Sequence, residues 1–209
     1  MPSSQFPVRA APRQARSRQT VEDIITAAAQ VLAKEGYDGA STNKIAAKAG
    51  VGIGSLYRYF TDKEEIVTAV VGRVIRRSEE ELSAAMLAAL SEPFETALRT
   101  TLLALVSSLE RDADLVRVLL EELPRSGGTH RLGGTEQRMF QVGRAALVHL
   151  LGPLPATDIA AISYLGGSTL LALSVRIALE RPPEIERELL VDHATRLLSA
   201  WLGQYRTAP

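Results

Sequence analysis

Residues Gly50–Phe60 read GVGIGSLYRYF. Gly50, Gly52 and Gly54 fall at every second position, a density that interrupts helices, yet an amphipathic helical pattern enters the stretch and another leaves it. Tyr57, Arg58 and Tyr59 then set two phenols and a guanidinium side by side, a costly display unless something meets them. A short helix, a glycine turn and a second short helix make a helix-turn-helix, whose second helix enters the DNA major groove. On that plan Gly50 takes the left-handed turn, and Gly52 opens the next helix, where propensity matters little. Gly54 removes a side chain where helix and DNA approach closely. Leu56 and Phe60, four residues apart, face the core.

Upstream, Val21, Ile24, Ile25, Ala28 and Leu32 form one apolar stripe at helical spacing. Thr20 is its expected cap, Glu22 and Asp23 suit its first turn, and Gly36 its end. Thr42 is expected to cap a short second helix carrying Ile45, Ala46 and Ala49, and the third helix to run through Phe60. Downstream, Thr61 and Glu64 have the spacing of a capping box. They open a fourth helix reaching about Leu90, with Ile66, Val67, Val70, Val74, Leu82 and Met86 inward.

Further helices are expected over 93–111, 113–123, 136–151, 157–180 and 184–205, with the glycine-rich run PRSGGTHRLGGTEQ (124–137) as a loop. No alternating, β-branched run calls for a strand. The class is therefore all-α, about nine helices in total. Residues 1–17, with three prolines, three arginines and no periodicity, read as a flexible basic arm. A helix-turn-helix DNA-binding domain follows over 18–65, then a larger helical domain over 66–209.

The chain of 209 residues is 46% hydrophobic and long enough for a sizeable core. It has no cysteine, which excludes disulfides and thiolate chemistry. Its formal charge is zero but unevenly spread: residues 1–63 hold nine basic and five acidic side chains, including all four lysines. A basic end on an acidic body suits a polyanionic partner. With no secretory leader after Met1, the cytoplasm is the expected location.

Ile159–Val175 carries no charge and approaches the length of a membrane span. Ser163, Gly166, Gly167, Ser168, Thr169 and Ser174 lie within it, however, and Asp158 and Arg176 bracket it. Burial on two sides, by its own core and by a second subunit, is the expectation, with no membrane. Leu190, Ala194, Leu197, Leu198, Trp201 and Tyr205 make a second stripe of this kind. Gly166, Thr169, Leu173, Leu197 and Trp201 are the expected interface of a homodimer.

No catalytic residue, metal site or cofactor is predicted. His130, His149 and His193 lack ligand spacing. GIGSL has no strand before it, as a nucleophile elbow requires, and neither GGTHRLGGT nor GGST has the strand and lysine of a phosphate loop.

The run GASTNKIAAKAGVGIGSLYRYFTDKEEIV (Gly39–Val67) resembles the DNA-binding domain of the tetracycline-repressor (TetR) family of regulators. The shared features are a threonine-capped helix, Ile45-Ala46 followed by Ala49-Gly50-Val51, and a glycine before a small hydroxyl residue. Leu56-Tyr57, Tyr59-Phe60 and a lysine opening the fourth helix complete them. The likeness covers about fifty residues from Thr20. It departs at Gly52, where the family usually has a capping serine, and at Ile53, often polar in relatives and here limited to apolar contact such as a thymine methyl.

The resemblance implies phosphate contacts from Thr42, Tyr57, Tyr59 and Lys63, and base-facing positions at Lys44, Ile53, Ser55 and Arg58, with Gly52 and Gly54 allowing close approach. It further implies a double-stranded, palindromic DNA operator and a small apolar effector molecule of unknown identity. Met86, Leu102, Leu119, Met139 and Phe140 are the expected lining of the effector pocket. The function so implied is that of a ligand-responsive dimeric DNA-binding repressor. The alternatives are a helical enzyme or carrier with an apolar pocket, and a DNA-binding dimer with no effector.

Overall fold

The computed structural model describes residues 11–122, 144–145 and 147–206, and every regular element among them is a helix. The chain divides into two compact units, Met1–Val71 and Gly72–Pro209.

The first unit contains α1 (Ala11–Gly39), α2 (Thr42–Ala49), α3 (Ile53–Tyr57) and the opening turns of α4 (Lys63–Ala88). Helix α1 begins at Ala11, not near Thr20, so the expected flexible arm is helical over 11–17; residues 1–10 lie outside the described residues. Alanine, arginine and glutamine in this stretch are strong helix formers, and Pro12 sits in the first turn, where a missing N–H is harmless. Thr20 does not cap: its hydroxyl donates to Arg16 O at 2.9 Å, one turn back within the helix. Near the other end Gly36 adopts φ 71°, ψ 178°, a kink that only glycine takes without strain.

Ile24, Ala28 and Leu32, spaced four apart on α1, are fully buried, as are Ile45 of α2, Leu56 of α3, and Ile66 and Val70 of α4. Enclosing a side chain of the Leu or Ile class contributes about 1.5–3 kcal/mol. Phe60 is buried too, as its spacing from Leu56 requires.

The helix ends are set one residue away from several expectations. Ser41, not Thr42, caps α2; its extended backbone suits the role and its hydroxyl accepts from Lys44 N at 3.3 Å. Gly50 closes α2 in the left-handed conformation, φ 68°, ψ 26°, as its place in the motif demands. Helix α3 stops at Tyr57 instead of running to Phe60, and the N–H groups of Tyr59 and Phe60 both return to Leu56 O. At the start of α4 the capping pair is Asp62 with Glu65, not Thr61 with Glu64. Glu65 N donates to Asp62 Oδ1 at 2.8 Å, and Glu65 Oε2 accepts from Thr61 N at 2.7 Å. A carboxylate is the stronger acceptor for a helix-end amide, and Glu64 is already engaged by the Tyr37 hydroxyl at 3.1 Å.

The second unit holds the rest of α4 with α5 (Phe94–Arg111), α6 (Ala113–Glu122), α7 (Ala156–Leu179) and α8 (Arg187–Gly203). Residues 147–151 add a helical turn; the remainder of the helix expected over 136–151 and the loop expected over 124–137 fall largely or wholly outside the described residues. Helix α5 packs on α7 and α8, and α6 on α5 and α7. Leu102 and Val106 of α5 join Ile177 of α7 with Val191 and Ala194 of α8 in one core cluster. A second cluster gathers Leu151, Ile162 and Leu202, with Phe94, Trp201 and Tyr205 against it. Trp201 and Tyr205 meet edge to face at 6.3 Å. Arg99–Asp192 at 2.8 Å and Arg187–Glu110 at 3.0 Å tie α8 to α5 at the surface, contributing at most about 1 kcal/mol each.

By length and composition α7 could cross a membrane, with a mean hydropathy of 1.4 over its window. One face of it is packed on α5, α6 and α8. The other leaves Tyr164, Leu165 and Leu171 exposed.

Candidate nucleic-acid interface and apolar cavity

The glycine turn sets α3 beside α2 and brings two hydroxyls together. Thr42 Oγ1, in the first turn of α2, lies 3.1 Å from Tyr57 Oη, the last residue of α3. The bond is exposed, with Tyr57 at the surface and Thr42 half-buried. On the same five-residue helix Ile53 is 40% and Tyr57 51% exposed. A Cβ added at Gly52 or Gly54 would meet nothing within 4 Å, so neither glycine is demanded by packing inside the chain. Ser55 is half-buried and its N–H bonds Gly52 O at 2.8 Å.

Tyr59 is held from two sides. Ser17 donates to Tyr59 Oη at 3.2 Å and Arg58 donates to it at 3.0 Å, with the guanidinium carbon 5.0 Å from the ring centroid. The Ser17 hydrogen bond first, and that of Arg58 second, hold the Tyr59 phenol below its ordinary pKa. Ser17 was not among the expected site residues. It lies forty-two positions from Tyr59, and no local pattern links them.

Two of the expected DNA contacts are engaged elsewhere. Lys44 Nζ reaches Glu35 Oε2 at 2.5 Å and Gly39 O at 2.8 Å, so it closes the end of α1 instead of standing free for a base edge. Helix C-terminal carbonyls attract a cation in this way. Hydrogen bonding to Lys44 lowers the pKa of the Glu35 carboxyl. Lys63 Nζ donates to Tyr37 O at 3.1 Å and lies 3.9 Å from the Tyr37 ring centroid, half-buried. The first turn of α4 also carries Glu64 and Glu65, which compete with any outside anion there.

The second unit holds an apolar cavity of about 200 Å³, partly open to solvent. Met86, one of the residues named for an effector pocket, lines this cavity with Leu82, Leu105, Leu198 and Leu202. Leu102 and Leu119 are buried but do not line it: Leu102 belongs to the core cluster between α5, α7 and α8. Met139 and Phe140 lie outside the described residues. Among the described residues no group of three His, Asp or Glu side chains is placed to hold a metal ion.

The expected interface residues are divided. Leu197 is 60% exposed, and Thr169 is half-buried. Leu173 instead packs against the core cluster of its own unit. Gly166 lines the cavity, and a Cβ there would come within 3.4 Å of the Trp201 ring, so both face inward. Tyr164, Leu165 and Leu189 carry outward apolar surface, while Leu171, also exposed, lines the cavity.

Residues 24–70 match the family profile of bacterial regulatory proteins, tetR family, and residues 93–202 match that of the tetracyclin repressor-like C-terminal domain. The fatty acid metabolism regulator protein of Bacillus subtilis (strain 168) is 38% identical over 71 residues, which are 32% of this chain and 37% of that protein. The match thus spans little more than a third of that relative's length. The crystal structure of a regulator from Mesorhizobium loti MAFF303099, assigned to the TetR family, is similar with a TM-score of 0.73 at 24% identity, covering 90% of this chain and 98% of that one. A TetR-family transcriptional regulator from Streptomyces coelicolor is similar with a TM-score of 0.63 at 26% identity, covering 89% and 99%.

Proposed function

The chain belongs to the TetR family of bacterial regulatory proteins, and from that premise we propose that it is a DNA-binding transcriptional regulator acting as a homodimer. It represses by occupying a palindromic operator and leaves when a small apolar molecule fills the cavity of the second unit. The family is one of regulators, not enzymes.

The observation that carries this reading is the exposed Thr42–Tyr57 hydroxyl pair beside Ile53 and the open backbone at Gly54. Hydroxyls from Thr42, Tyr57 and Tyr59 fix register on phosphates, while Ile53 and the α3 backbone approach the bases. Arg58 supplies charge beside Tyr59. Lys44 and Lys63 support this surface from behind, through α1 and Tyr37, as their hydrogen bonds favour. A half-site of this size buries little surface, so two copies are required for tight binding. The outward residues Tyr164, Leu165, Leu189 and Leu197 on α7 and α8 supply the dimer surface.

Selection of duplexes from a random pool tests the reading directly. A palindromic consensus bound with steep salt dependence is expected. Binding to no duplex even at low salt overturns it.

A further inference from the structure

The cavity carries a more specific chemical message. Among the described residues no charged side chain lines it, and its wall is dominated by leucine with Met86 and Phe94. Of its three hydroxyl residues, Ser168 is exposed and Thr101 donates to Ala97 O, which leaves Ser163 of α7. It is 8% exposed and its Oγ has no hydrogen-bond partner among the described residues. A buried serine or threonine in a helix ordinarily returns its proton to the carbonyl one turn back. In this unit Thr101 does so to Ala97 O, Ser174 to Leu170 O and Thr195 to Val191 O, at 2.7–2.8 Å, while Ser108 pairs with Ser78 at 3.0 Å. Of the five buried hydroxyl residues among the described residues, Ser163 is the one left over; the half-buried Ser199 on α8 also has an unpartnered Oγ but does not line the cavity. A polar atom kept in an apolar wall with its bond unmade is unfavourable to the empty protein and favourable to a ligand that completes it.

We propose that Ser163 Oγ is the polar anchor of the effector site, and that the effector is a neutral, chiefly apolar molecule with one hydroxyl or carbonyl oxygen. This rests on reading the cavity as the effector site. An apolar cavity of roughly 150 Å³ accepts benzene, so about 200 Å³ suits a molecule somewhat larger, near the size of a fused bicyclic ring. The described wall offers an ionised carboxylate no counter-charge, so a carboxylate is disfavoured there.

Calorimetric titration of the full chain with naphthalene, 1-naphthol and 1-naphthoate at neutral pH tests the proposal. 1-Naphthol is expected to bind roughly five- to tenfold more tightly than naphthalene, the scale of one added hydrogen bond, and 1-naphthoate to bind worst. Ser163→Ala removes an unpartnered hydroxyl and breaks no bond, so it folds. It should keep naphthalene affinity and bring 1-naphthol to within about twofold of it. A naphthol preference that survives Ser163→Ala overturns the anchor, and a preference for 1-naphthoate overturns the neutral class. If none of the three probes binds to a chain that still binds its selected duplex, the cavity assignment falls while the DNA-binding reading stands. If the probes behave as expected but no duplex is bound, the reverse holds.

Discussion

Thr42 Oγ1 and Tyr57 Oη share one hydrogen bond, 3.1 Å long, across the turn that joins α2 to α3. Two hydroxyls bring two protons, and the bond between them uses one. Whichever group donates, an O–H remains for an acceptor outside the chain, and each hydroxyl holds the other in place for it.

Tyr57→Phe and Thr42→Ala should therefore each weaken DNA binding by about tenfold, the effect of losing one hydrogen bond to a charged oxygen. The loss should be equal on the selected operator and on a scrambled duplex, because phosphates carry no sequence. The double variant should lose less than the product of the two. Fluorescence anisotropy on both duplexes measures all three quantities, and an altered base preference would contradict the assignment.

Gly54 lies in α3 with open space where its Cβ would be. Gly54→Ala should stabilise the first unit by about 0.5–1 kcal/mol through helix propensity, visible as a slightly raised melting temperature. The same methyl stands between helix and groove, so operator affinity should fall more than tenfold. Unchanged affinity would show that DNA does not approach here.

Lys44 bonds Glu35 and Gly39 O in this fold. The folded pKa of Glu35 is depressed, so the stabilisation from the pair is present above the unfolded carboxyl pKa, near 4.3, and is lost as pH falls through the depressed value. In Lys44→Met the Glu35 carboxyl, followed by NMR, should titrate at a higher pH than in the wild type. Base preference should not change. A shifted consensus would return Lys44 to the bases.

Leu165 is 53% exposed on the outer face of α7, so Leu165→Glu spares the fold of its own protomer. In a dimer the two carboxylates would be buried without partners. Sedimentation should show a monomer where the wild type is a dimer, with palindrome affinity falling to that of a half-site. A dimer of unchanged strength would move the interface elsewhere.

What the sequence disclosed and what it withheld follow from how far each interaction reaches along the chain. Gly50, Leu56 and Phe60 were legible because turn geometry and helical spacing are local. The caps slipped by one residue, Ser41 for Thr42 and Asp62 for Thr61, because neighbouring polar side chains compete for the same amides and the backbone decides between them. The helical start at Ala11 was hidden by a proline and alternating arginines that look like a tail yet form good helix. Lys44, Lys63 and Tyr59 were identified by type, but their partners Glu35, Tyr37 and Ser17 are nine, twenty-six and forty-two residues away. The cavity wall could not be separated from ordinary core, since Met86 and Leu102 have the same chemistry and differ only in what faces them.

Trp201 is the chain's single tryptophan, seated against Gly166 and Tyr205 in the second unit, while Tyr37, Tyr57 and Tyr59 lie in the first. The molecule is therefore optically partitioned. Indole emission comes from one unit only, whereas far-ultraviolet circular dichroism sums the helices of both. Urea curves from the two signals superimpose if the units melt as one cooperative body and part company if they do not. A native chromophore thus turns the cooperativity of the whole chain into a measurable quantity without any label.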